Sequence, residues 1–378
     1  MLKTFILLVL SFFLLPFKFY PQCKIDLVVV SKLSVDKKVF IAGNKPELGN
    51  WNPDKTSLNK INDSTWLKTF EFSKDEIIEF KFTKGSWDEE ALDENGSVSG
   101  NIILKALADT TIIFRINNWG NSKSKTIGQI TGNVKYHKKF KSRNVLPRDI
   151  IVWLPPSYDS LPNKYHPVLY MQDGQNLFDP ATSSFGIDWQ IDETADSLIK
   201  YHSMQEIIIV GIYSSVNRGK EYNNTDLGKA YIQFLIEELK PFIDKTYRTL
   251  PDRRNTGVGG SSSGGLISFI IAWNYSDVFS KAACISPAFK IADIDFVTPV
   301  KNYSGAKKDI EVYIDNGGVG LEEQLQPGVD DMLNALEKKG SIEGKDLLYV
   351  KDQNAEHNEP AWSKRVYRFL EFLFPTNK

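Results

Sequence analysis

The stretch Gly260-Ser261-Ser262-Ser263-Gly264 sets one hydroxyl, that of Ser262, between two glycines in the spacing G-x-S-x-G. The preceding "NTGVGG" reads as a short strand and the following "GLISFIIAW" as a helix apolar on nearly every face. A strand-to-helix turn this tight forces its central residue into strained backbone geometry, and side chains at the flanking positions would strike neighbouring chain. Such a turn lifts the Ser262 hydroxyl above the carboxyl end of a sheet and aims helix-start N–H groups at the same point. Ser261 and Ser263 lack glycine at both flanking positions. The rival reading is a Gly/Ser-rich connecting loop. The strand, the helix and a late histidine favour a nucleophile.

A serine nucleophile needs a base, and the chain has four histidines. His137 lies on the first strand of the second half, and His166 and His202 precede strands. Ligand and catalytic groups in parallel sheets collect instead at the carboxyl ends. His357 in "KDQNAEHNEPAW" follows the strand "DLLYV" and is the one at that edge. The base in turn needs an acid to hold its tautomer. Asp315 and Glu322, in "IDNGGVGLEE", both follow the strand "IEVYI", with Glu323 a weaker third. Asp315 could instead cap the turn before Gly317, so Glu322 is preferred. Two backbone N–H groups must receive the oxyanion. Ser263 supplies one, and the loop after "HPVLYMQDG" supplies the other from Gly174 or Gln175.

These groups require a framework. From about residue 130 onward, apolar runs such as "DIIVWLPP", "HPVLYMQDG", "EIIIVGIY" and "DIEVYIDNG" alternate with helical patterns such as "AYIQFLIEELKPFIDKTY". Near-continuous apolar strands with helices between them predict a mostly parallel sheet covered on both faces. Residues 23–118 differ: "KIDLVVVSK", "KKVFIAG", "TWLKTFEF", "IIEFKF" and "TTIIFRI", separated by Gly/Pro/Asn/Asp turns, predict an all-β sandwich. Residues 119–129, in "NWGNSKSKTIGQ", read as a linker before a second domain over 130–378. Residues 1–22 carry an early lysine and then an apolar run from Phe5 to Leu15, which suits a secretory signal and a secreted or periplasmic protein with no stable membrane span.

A formal net charge of -1 gives no electrostatic reason to expect nucleic acid as a partner. The two cysteines, Cys23 and Cys284, are poorly placed to form a disulfide, so the fold rests on its core. No His/Cys cluster has metal-ligand spacing, and neither metal nor cofactor is expected.

The second domain resembles the esterase family of α/β-hydrolases that includes enterochelin-esterase-like, feruloyl-esterase-like and mycolyltransferase-like enzymes. The resemblance is carried by "RDIIVWLPPSY", "YHPVLYMQDGQNLFD", "GIDWQIDE", "GGSSSGGLIS", "ISPAF" and "EHNEPAW", in family order from about residue 130 to 374. It implies a serine hydrolase of carboxylic esters with Ser262 as nucleophile and His357 as base. It also supports Glu322 as acid, although "GGVGLEE" departs from the more usual G-T-x-E or G-T-x-D. The first domain resembles a starch-binding module of carbohydrate-binding family twenty through "IAGNKPELGNWNP", "EFKFTKGSWDEE" and Gly100-Asn101. That resemblance implies glucan binding by Trp51, Lys81 and Trp87, with Asn101 a fourth. Alternation in "IIEFKF" puts Ile78, Phe80 and Phe82 on the core face and Lys81 outward, while Trp66 fills the core. Together these imply an ester hydrolase for acylated carbohydrate or a related small ester. The alternatives are an acyltransferase using the same residues and a non-catalytic glucan-binding protein.

Overall fold

The computed structural model describes residues 21–33, 37–94, 101–120, 129–184 and 186–376. The signal reading of residues 1–22 falls almost wholly outside them, as does the linker from 121 to 128. The chain divides into two compact units, with the boundary between Gly120 and Asn121.

The first unit is β-rich. Its strands are β1 (Gln22–Val30), β2 (Phe40–Gly43), β3 (Thr56–Ser57), β4 (Asn59–Asn62), β5 (Thr65–Ser73), β6 (Ile77–Thr83), β7 (Ala91–Leu92), β8 (Ile102–Lys105), β9 (Thr110–Arg115) and β10 (Asn118–Trp119). They form sheets in the orders β4-β5-β1-β9 and β3-β2-β6-β8, with β10 paired to β7. Alternation builds the core: Ile25, Leu27 and Val29 of β1 are buried with Ile41, Trp66, Ile78, Phe80 and Phe82. Two boundaries move by a residue or two. Gln22 already opens β1, and Trp119 belongs to β10, its indole N–H donating to Ser31 Oγ at 2.8 Å, so the linker starts later than composition suggests.

The second unit is an α/β-hydrolase fold. Its strands are β11 (Asn133–Phe140), β12 (Arg148–Leu154), β13 (Val168–Gln172), β14 (Ile208–Ile212), β15 (Thr256–Ser261), β16 (Lys281–Ile285), β17 (Lys290–Ile291), β18 (Ile294–Asp295), β19 (Glu311–Gly317) and β20 (Leu347–Asp352). An eight-stranded sheet runs β11-β12-β14-β13-β15-β16-β19-β20. The β11–β12 and β12–β14 pairs are antiparallel, and every later pair is parallel. The central strands β13, β14, β15 and β16 are buried at every position, as expected of a sheet covered on both faces.

The helices are α1 (Ile191–Lys200), α2 (Arg218–Glu221), α3 (Asp226–Gln233), α4 (Lys240–Thr246), α5 (Ser263–Asn274), α6 (Val297–Asn302), α7 (Leu321–Lys338), α8 (Glu359–Ser363) and α9 (Val366–Leu373). Apolar residues of α3, α5 and α7 pack with one face of the sheet, and those of α1 and α9 with the other. Both thiols are buried and unpaired, Cys23 on β1 and Cys284 on β16. Among the described residues no helix is long and apolar enough to cross a membrane.

Candidate active site

Ser262 joins the central strand β15 to α5 with φ 57° and ψ -122°, a conformation L-residues rarely adopt. Its N–H donates to the Ile285 carbonyl at 2.9 Å, and its own carbonyl accepts from Leu266 at 3.0 Å and Ala288 at 3.2 Å. The bend leaves no room beside it. A Cβ on Gly260 would lie 2.9 Å from Cβ of Gln172, which explains the first glycine of the motif. The residues that follow, from Ser263, open α5, whose first N–H groups have no acceptor within the helix.

His357 stands in the loop between β20 and α8, and Glu322 in the first turn of α7, just after β19. Nucleophile, acid and base candidates therefore leave the carboxyl ends of parallel strands at one edge of the sheet. His357 Nδ1 lies 3.3 Å from Glu322 Oε1, and its ring stacks edge-on against Trp362 with centroids 5.0 Å apart. The turn that delivers Glu322 also grips the histidine loop, because the N–H groups of Gly318 and Val319 donate to the Ala355 carbonyl at 3.1 and 3.2 Å. A Cβ on Gly317 would come within 2.6 Å of Glu322 Cγ, so "GGVG" is shaped around the acid.

Glu322 is fully buried. Burial alone would raise its carboxyl, but hydrogen bonds from His357, Ser286 and the Gly317 backbone hold it below the ordinary carboxylate range. The other acids do different things. Asp315, also fully buried, accepts from Arg365 through Nε at 3.0 Å and Nη2 at 3.2 Å, from Tyr313 Oη at 2.9 Å and from the Ser286 N–H at 3.1 Å. Burial raises its carboxyl despite the guanidinium. Glu323 is exposed.

On the other side of the bend, Asp173 directly follows β13 in the left-handed region with φ 55°, and Gly174–Asn176 make a single 3-10 turn. Two contacts fix this turn. Asp173 accepts from Arg218 Nε and Nη2, each at 2.8 Å, and the Gln175 amide exchanges bonds with Ser214, at 2.9 Å to its hydroxyl and 3.1 Å from its N–H. Arg218, Ser286, Trp362 and Arg365 escape motif reading. "ISPAF" and "EHNEPAW" contain or adjoin three of them, but nothing in the spacing shows where their donors point.

Among the described residues, Asp188, Asp192 and Glu193 form a group whose carboxylate oxygens lie within 4.8 Å of one another. Asp192 Oδ2 accepts the Thr131 N–H at 2.7 Å, and the Thr131 carbonyl accepts the Trp153 indole at 2.8 Å. Burial, followed by the bond to Glu193, pushes Asp192 up to about 8, and burial pushes Asp188 up to about 6. Raised carboxyls stabilise the fold fully below the ordinary value of 3.8 and lose that contribution as pH rises through the folded value. Asp192→Asn mimics the protonated acid. Its Tm is expected to match wild type below about pH 4 and to exceed it by a margin that widens steadily toward pH 8. Thermal unfolding across that range checks this, and a gap that does not widen with pH contradicts it.

In the β-rich unit, Trp51 and Trp87 lie together, both half-buried, with ring centroids 6.4 Å apart and planes inclined by 36°. Lys81 is on the face opposite Phe80 and Phe82, but it is not a freely extended side chain. Its ammonium meets the buried Glu90 carboxylate at 2.9 Å, beside the Trp87 turn. Asn101 Nδ2 donates to Glu79 Oε1 at 2.8 Å. Both polar groups are thus engaged within the domain.

Comparison with known proteins gives two family matches: residues 146–367 match the family described as "Putative esterase", and residues 22–102 match "Starch binding domain". The chain is 28% identical over 159 residues to "Uncharacterized protein YjcH" of Bacillus subtilis, covering 41% of this chain and 62% of that one. It is 27% identical over 135 residues to an "Endo-1,4-beta-xylanase/feruloyl esterase" of Xylanibacter ruminicola, covering 34% and 18%. The chain thus spans less than two thirds of either relative. Among solved structures, a ferulic acid esterase superposes with TM-score 0.54 at 20% identity, covering 64% of this chain and 98% of that one. An enterobactin esterase from Shigella flexneri superposes with TM-score 0.55 at 12% identity, covering 89% and 88%. At these identities the likeness is one of fold.

Proposed function

We propose, from the premise that this chain belongs to the "Putative esterase" family, that it is a secreted serine hydrolase of carboxylic esters carried on carbohydrate. The observation that carries this reading is the Glu322–His357 contact at the same sheet edge as the strained Ser262 bend. A carboxylate on Nδ1 fixes the imidazole with its proton there and leaves Nε2 to accept. Ser262 Oγ attacks the ester carbonyl while Nε2 takes its proton. The N–H of Ser263, with that of Gly174 or Gln175, receives the oxyanion. The tetrahedral species expels the alcohol, which leaves with the proton returned by Nε2. Water, deprotonated by the same nitrogen, then releases the acid and restores Ser262.

Feruloyl esters of polysaccharide are the first substrates to test, since relatives and neighbours of the hydrolase domain include feruloyl and ferulic acid esterases. Hydrolysis of methyl ferulate alongside a short-chain aryl acetate tests both the chemistry and the acyl preference. Absence of turnover on every ester of such a panel would sink this reading.

The β-rich unit matches a starch-binding domain, and Trp51 with Trp87 is the pair proposed to stack on a glucan, with Lys81 and Asn101 as further candidates. Trp51→Ala and Trp87→Ala are each expected to weaken binding of soluble starch or β-cyclodextrin by on the order of tenfold. Turnover of the aryl ester should stay unchanged. Isothermal titration with parallel kinetics measures both, and undiminished binding in the double variant refutes the pair's role.

A further inference from the structure

Ser286 directly follows β16 and is fully buried, with a left-handed φ of 43°. Its hydroxyl meets three groups. Oγ lies 2.6 Å from Glu322 Oε1, 3.1 Å from the Trp362 indole nitrogen and 3.1 Å from Arg365 Nη2. An indole N–H and a guanidinium N–H can only donate, and a hydroxyl has two acceptor sites and one proton. With both acceptor sites engaged, the single Ser286 proton has the Glu322 carboxylate as its destination. That oxygen is the same one that faces His357 Nδ1.

The arrangement is held from behind. The Ser286 N–H donates to the Asp315 carbonyl at 3.0 Å and to its carboxylate, and that carboxylate grips Arg365 through two bonds. Asp315, Arg365, Ser286 and Glu322 thus form a chain of contacts ending at the imidazole. Resting on the esterase reading above, we propose that Ser286 is a positioning residue of the hydrolytic site. It is a one-way donor that keeps Glu322 ionised and turned toward His357.

The remaining charged and titratable groups around the pair do not compete for this part. Asp315 and Arg365 neutralise each other. Burial raises the phenols of Tyr313 and Tyr349 and so keeps them neutral. The Lys351 ammonium is spent on the Gly317 carbonyl and Gln326, the buried Glu359 that opens α8 accepts from Asn176, and Glu356, on the histidine's own loop, is exposed.

The test is Ser286→Ala in the full chain, assayed on an aryl ester across pH. A lost hydrogen bond to a charged group predicts a fall in kcat of about tenfold or more, with KM within about twofold. The acid limb of kcat/KM should move to higher pH, because a carboxylate relieved of one donor holds the imidazolium more strongly. A merely structural role would lower kcat without moving that limb, and this result overturns the proposal, as does a wild-type profile. Should the alanine variant fail to fold, Trp362→Phe decides. It keeps an aromatic ring beside His357 but frees one acceptor site on Ser286, so the hydroxyl can turn. It should shift the limb in the same direction by less, and an unmoved limb again overturns the proposal. Wild-type turnover and its dependence on Ser262 test the esterase reading separately. An active enzyme with an indifferent Ser286 removes this inference alone, whereas an inert wild-type chain removes both.

Discussion

Ser262→Ala is expected to abolish ester turnover, lowering kcat on a short-chain aryl ester by about 10⁴–10⁶-fold while the protein stays folded. The size follows from the chemistry. Without Oγ there is no acyl-enzyme, and only the oxyanion donors and binding remain to accelerate attack by water. The backbone supplies a second, independent readout. Ser262 occupies φ 57° and ψ -122°, a conformation whose cost is about 1–3 kcal/mol for a residue with a Cβ and much less for glycine. Ser262→Gly should therefore be equally inactive yet raise Tm by a few degrees. Stopped assays and calorimetry on the two variants decide the matter. Turnover that survives in either one refutes the nucleophile.

The second large effect separates two buried acids. Glu322→Gln should cost about 10³–10⁴ in kcat, since an amide can present the wrong partner to Nδ1 and cannot stabilise an imidazolium. Tm should fall too, by less than in the Asp315 variant, because the amide loses the charge-assisted bond from Ser286. Asp315→Asn should cost more stability and less turnover. It breaks a fully buried ion pair with Arg365, which typically costs about 3–5 kcal/mol when one partner is removed. Its kcat should fall by about tenfold at most. Kinetics and denaturant unfolding of both variants make the comparison. Interchanged outcomes would move the acid's role from Glu322 to Asp315.

These acids also show where residue patterns stop being informative. Asp315 lies near the end of β19 and Glu322 just after it, so position along the chain alone separates them poorly. The choice is made by partners far away in sequence, Arg365 for one and His357 for the other. The strained bend at Ser262 was legible because its constraint is local: a strand, a glycine, the bend residue and a helix, all adjacent. The place of His357 just beyond β20 was legible, since strand ends are visible as changes in apolar periodicity. The alternation in β6 correctly put Ile78, Phe80 and Phe82 inside and Lys81 on the other face, but could not show that Glu90 holds the ammonium there. Two-residue strands such as β3, β7 and β10 are too short to have a period at all, which is why Trp119 read as linker. Ser286 illustrates the general limit. Its role depends on which way a proton faces, and that is set by two donors arriving from the far end of the chain.

The sheet order has one more consequence. β15, which carries the hydroxyl, is flanked by strands on both sides, whereas β20, which leads to the imidazole, is the last strand and has a neighbour on one side only. Marginal strands fray first under thermal stress. Warming should thus loosen the His357 loop while the Ser262 bend is still intact, a reversible change that precedes global melting.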